Sequence, residues 1–266
     1  MTQRGKIWLA TLLIIAAFLV WGMITVKVSP LVFESIDEGF VQLLSYCLIF
    51  FLTIGFTYAI RKPFGLFIPS FRPEPGKINP RLVILGVILT FAASVILNPI
   101  IDAMPEENLD RLTSYMQGGL WPMLTAVVAA PILEEFLFRG IIQHNLIKIL
   151  GRIGGIVIGA VIFGAIHFIP QQVIYATGAG IIIGTIYYMT DSLHTVMTIH
   201  FVNNGLAYLL FMVFGSTNYI ESEILGDKTI FLIAYLVSFV ILMSAGWYAV
   251  RRLSGSKKRA PKTKEN

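Results

Sequence analysis

Residues Glu134 to Arg139 read Glu-Glu-Phe-Leu-Phe-Arg and lie inside an apolar run, about 120–142, that holds no other charged residue. The bilayer centre costs about 2.5–3.5 kcal/mol for each such group on insertion scales. A cluster of this kind persists only if its members pair, face a wet cavity or carry chemistry. Helical spacing separates the three groups. Glu135 and Arg139 stand four apart with the acid first, the favourable order for an ion pair. Glu134 points about 100° away and has no partner on its own helix. The spacing predicts that Glu135 and Arg139 support structure and that the Glu134 carboxylate is available. A buried polar knot holding helices together is the competing reading.

With 56% hydrophobic and 13% charged residues in 266, the chain is too apolar for a soluble core and too regularly interrupted for a single span. An all-α integral membrane bundle of about eight transmembrane helices is expected. Its spans fall near 7–26, 40–60, 82–101, 120–142, 153–169, 173–189, 193–214 and 229–250. The first is read as a retained helix, since no small-residue cleavage site follows it. Residues 1–253 form one membrane domain with a motif core at 121–211, and 254–266 is a basic cytoplasmic tail without fixed structure.

Sixteen of the 20 basic residues fall in the segments that eight spans would place on one side, which predicts a cell-membrane protein with both termini in the cytoplasm. The positive balance therefore implies anionic lipid at the basic cytoplasmic loops, and no nucleic acid. The lone Cys47 excludes an intrachain disulfide and a cysteine-based metal site. Between the second and third spans, Pro63, Pro69, Pro73, Pro75 and Pro80 exclude a long helix. The aromatic and aliphatic residues among them suggest a segment lying on the membrane surface. The loop after the third span is acidic.

Two other spans are polar at membrane depth. The fifth span carries His167, four residues after Phe163, and the seventh carries His200 and Asn204 at i and i+4, with Asn203 beside them. A single membrane histidine usually makes an interhelical hydrogen bond. When several helices each carry polar groups, convergence is the economical explanation, because each hides its own only by turning it toward the others. His144 and His194 fall near helix ends, where water is available. The glycines of the fifth and sixth spans let helices approach closely.

Glu134-Glu135-x-x-x-Arg139, Phe163-x-x-x-His167 and His200-x-x-x-Asn204, in this order on successive membrane helices, resemble the CPBP family of intramembrane glutamic endopeptidases. That family groups type II CAAX prenyl proteases with bacteriocin-processing and abortive-infection-type proteins. The resemblance implies metal-independent hydrolysis of a peptide bond in a membrane-associated protein or peptide, with no cofactor. Carried over, Glu134 and His167 activate a water, while His200 and Asn204 stabilise the oxyanion. Glu135, Arg139 and Phe163 support them. Hydrolysis by water needs a base and donors aimed at the developing oxyanion, and these residue types supply both. Two alternatives stay open. One is a zinc-dependent protease, although no His-Glu-x-x-His is present. The other is a non-enzymatic immunity or transport protein using the cluster as glue or a binding site.

Overall fold

A computed structural model describes residues 1–32, 36–70, 78–105, 107–215 and 227–255, and these are helical without any strand. The expected tail falls largely outside the described residues, since the last helix runs to Gly255. The helices are α1 (Gln3–Val32), α2 (Glu38–Phe64), α3 (Pro80–Asp102), α4 (Glu107–Met116), α5 (Leu120–Met123), α6 (Ala130–Glu134), α7 (His144–Ala165), α8 (Pro170–Thr190), α9 (Leu193–Phe214) and α10 (Lys228–Gly255). Two π-helical segments, Leu124–Ala129 and Glu135–Gln143, join α5, α6 and α7 into one continuous helical path.

Seven helical stretches among the described residues are long and apolar enough to cross a membrane, which makes this a multi-pass membrane protein. One of them, Leu120–Ala165, has 46 residues. Straight, it would be about 70 Å long at 1.5 Å per residue, more than twice the ~30 Å hydrocarbon core. It breaks at Gly151, where φ is 76° and ψ 179°, a backbone conformation that glycine tolerates and a side chain resists. Beyond the break the chain packs back on itself. A Cβ placed on Gly155 would stand 2.6 Å from the Ile147 nitrogen, and one on Gly159 3.3 Å from Gln143 Cβ. The fourth and fifth expected segments are thus the two arms of this hairpin, and the seven stretches contain the eight apolar segments read from the sequence.

α3 packs against α8, α9 and α10, while α7 is held between α8, α1 and the second π segment. α2 lies against α1 and the first half of the motif helix. The apolar core fills the space between α1, α2, the motif helix and α7, with Phe50, Leu137, Ile141 and Leu146 almost without exposure. α10 contributes little to it and leaves its aliphatic side chains facing outward, as a lipid-facing helix does.

Four local expectations change. The motif helix is not uniformly α, because Pro131 lacks the N–H that would continue the ladder. The Ala130 N–H reaches back to the Thr125 carbonyl, a wide i to i−5 turn. α7 ends at Ala165, so His167 lies in the turn before α8 and not on the helix. The acidic segment after α3 contains the short helix α4. Residues 66–69 of the proline-rich stretch, of which 71–77 lie outside the described residues, pack against the helices. The Asn145 side chain brackets the Phe67 backbone, accepting from its N–H at 3.0 Å and donating to its carbonyl at 2.8 Å. Leu66 and Ile68 face the core, and His144 stacks on the Phe67 ring at 3.9 Å instead of being solvated.

Candidate active site

The change from α to π register falls between the two glutamates: Glu134 ends α6 and Glu135 begins the second π segment. Both are buried, with Glu134 5% and Glu135 0% exposed, so any charge on either has to be met by protein groups. Arg139, 1% exposed, meets Glu135 from four residues on, with Nε 3.2 Å from Oε2. The N–H is not directed well enough for a hydrogen bond, so the contact is an ion pair. The guanidinium also lies over the Phe163 ring at 4.1 Å, a cation–π contact that ties the motif helix to α7.

His200 of α9 stands against both glutamates. Its Nδ1 stands 2.8 Å from Glu135 Oε1, and its Nε2 faces Glu134 Oε2 across 3.9 Å. A carboxylate only accepts, so Nδ1 carries the hydrogen and Nε2 is the nitrogen left to act. The two glutamates are therefore unequal. Glu135 is engaged by Arg139 and His200. Glu134 receives one hydrogen bond, from the Tyr46 hydroxyl to Oε1 at 2.6 Å, and its Oε2 is buried without a hydrogen-bond partner.

His167 reaches this group through Phe163. Its Nδ1 is 3.0 Å from the Phe163 carbonyl oxygen, one of the orphan acceptors at the end of α7. That carbonyl fixes the hydrogen on Nδ1 and leaves the lone pair on Nε2. The Phe163 ring lies 5.1 Å from the His167 ring and 6.2 Å from that of His200. Phe168, next in sequence, has φ of 59°, a conformation bulky residues seldom adopt.

Asn204 does not share a target with His200. Its Nδ2 donates to the Ala126 carbonyl at 2.8 Å, in the first π segment. Its neighbour Asn203 belongs to a separate network with Thr90 and Tyr175.

Tyr46 was missed in the sequence. The available signal is that α2 also buries Thr53 and Thr57, but each of those hydroxyls returns to a carbonyl four residues back, at 2.7 and 2.8 Å. Such return bonds are the ordinary habit of threonine in helices. A tyrosine hydroxyl is too far from its own backbone to do the same and has to find a partner on another helix.

A buried pair of adjacent glutamates, one paired with Arg139 and His200 and the other held by one hydrogen bond, with His200 against both and His167 joined to them only through Phe163, defines the class: a polytopic helical membrane protein with a buried glutamate–histidine cluster. Residues 116–206, about a third of the chain, match the family model described as Type II CAAX prenyl endopeptidase Rce1-like, and to that extent the segment is similar to this family. It contains all three motifs. Tyr46 and the whole of α2 lie outside it. No curated protein and no solved structure matches the chain.

Proposed function

We propose that the protein is an intramembrane endopeptidase that cleaves a membrane-associated protein or peptide by glutamate-activated water. The observation that carries this reading is Oε2 of Glu134, buried without a hydrogen bond and 3.9 Å from His200 Nε2. That gap is too wide for a direct hydrogen bond and suits a small polar group between the two atoms. Structural glue would use both oxygens, as Glu135 does.

In this reading Glu134 takes the proton from water as the hydroxide forms its bond to the scissile carbonyl carbon. His167, with its lone pair on Nε2, orients that water. The carbonyl electrons move onto oxygen, and donors on His200 Nε2 and the second N–H of Asn204 meet the charge. Collapse of the tetrahedral intermediate breaks the C–N bond, and the proton held by Glu134 passes to the leaving amine. A second proton on His200 is supported by Glu135, much as a buried aspartate supports an imidazolium. The cytoplasmic placement of both termini, with anionic lipid at the basic loops, belongs to the same proposal and rests on the charge asymmetry.

The test compares membrane peptides from cells making the protein with those from cells making Glu134→Gln at equal abundance. A fragment present only with the unaltered chain, and reproduced by purified protein in liposomes, is the expected result. Identical peptide profiles, or cleavage surviving in Glu134→Gln, would leave the cluster as a structural or binding feature.

A further inference from the structure

We infer that Tyr46 is a positioning residue for Glu134, which extends the active machinery to α2, a helix outside the Rce1-like segment. This rests on the proposed role of Glu134. A carboxylate has two equivalent oxygens, and rotation about its last bond exchanges them. The Tyr46 hydroxyl removes that equivalence by holding Oε1 at 2.6 Å, a length typical of an O–H donor on a charged acceptor. Oε2 is then the oxygen that faces His200 Nε2.

The tyrosine is itself fixed. Its ring packs on Phe50 at a centroid distance of 5.0 Å, and Phe50 packs edge-on against Phe18 of α1 at 5.2 Å. Phe50 is fully buried, so this aromatic column sets the height of the hydroxyl relative to the motif helix. The asymmetry between the glutamates supports a positioning role over simple satisfaction of a buried charge. Glu135, the more deeply buried, is given a cation and an imidazole. Glu134 is given a neutral donor on one oxygen, which orients the group without neutralising it and leaves its basic electron pairs on Oε2.

The experiment uses the full-length protein in liposomes with a reporter peptide that it cleaves. Tyr46→Phe removes the hydroxyl and keeps the ring. Turnover should fall about ten-fold, the equivalent of one hydrogen bond at 1.36 kcal/mol per decade, with KM unchanged, as expected of a residue that acts through Glu134. A purely structural tyrosine would lower the amount of folded enzyme without lowering turnover per folded molecule. As a second variant, 3-fluorotyrosine at position 46 preserves the hydroxyl and makes it a stronger donor. Turnover different from the natural chain, with identical melting, supports positioning. Unchanged turnover in folded Tyr46→Phe overturns it, and so does unchanged turnover in the fluorotyrosine protein should Tyr46→Phe not fold. Glu134→Gln is run alongside. If it retains cleavage, the reading of Glu134 itself fails; if it is inactive while Tyr46→Phe is normal, only the inference about Tyr46 fails.

Discussion

The side-chain amide of Asn204 donates to the carbonyl oxygen of Ala126 at 2.8 Å. Ala126 needs this donor because Pro131, five residues on, has no N–H, and the Ala130 N–H is already spent on Thr125. One α9 side chain thus completes the backbone of the motif helix just before the glutamates. Asn204→Ala should lose about 1–3 kcal/mol of stability by orphaning the carbonyl, and in the proposed mechanism also about 10²-fold in turnover. Combining it with Pro131→Ala, which returns a backbone N–H, separates the two effects: thermal stability should recover in part and turnover should not. Recovery of both would confine Asn204 to structure.

Arg139 and Glu134 should respond in opposite ways. Removing Arg139 strands the buried Glu135 carboxylate, and breaking a buried pair typically costs about 3–5 kcal/mol. Arg139→Ala should therefore sharply reduce folded protein in the membrane. Glu134→Gln keeps an oxygen for the Tyr46 hydroxyl and should fold to normal levels while losing cleavage. Size-exclusion profiles and a peptide-cleavage assay on both variants check this. Equal folding defects, with activity in whatever Glu134→Gln protein folds, would reject the division.

Metal removal should leave activity intact. The geometry around Glu134 and His200 is wider than a zinc site: tetrahedral ligands at 2.0–2.1 Å stand roughly 3.3 Å apart, against 3.9 Å between Oε2 and Nε2. The other His200 nitrogen is bound to Glu135. Dialysis against a strong chelator followed by the cleavage assay tests it. Loss of turnover that added zinc restores would replace the water-activating glutamate with a metalloprotease.

The hairpin at Gly151 makes its own prediction. A Cβ on Gly155 would meet the backbone nitrogen of Ile147 at 2.6 Å, and backbone cannot rotate away as a side-chain tip does. Gly155→Ala should cost about 1–3 kcal/mol, in the range for overpacking. Gly246→Ala, where nothing stands within 4 Å, should be neutral. Thermal melting of the two variants in detergent provides the comparison, and equal melting temperatures would mean that the two arms do not pack this closely.

Local chemistry made much of this protein legible from its sequence. Span length and apolarity identify membrane helices because the solvent is a slab of fixed thickness, and the i, i+4 spacing of Glu135 and Arg139 announces their ion pair because neighbours on one helix are fixed by its pitch. His167, His200 and Asn204 stood out because a polar group at depth needs a reason to be there. What each would touch was decided by tertiary structure. Tyr46 meets Glu134 across 88 residues, His200 meets Glu135 across 65, and Asn204 meets Ala126 across 78. No periodicity in a helix specifies which other helix it will face, or at what height. That depends on how α1, α2, α7 and α9 pack together, and on a proline and a glycine, Pro131 and Gly151, whose backbone effects become contacts only once the helices are assembled.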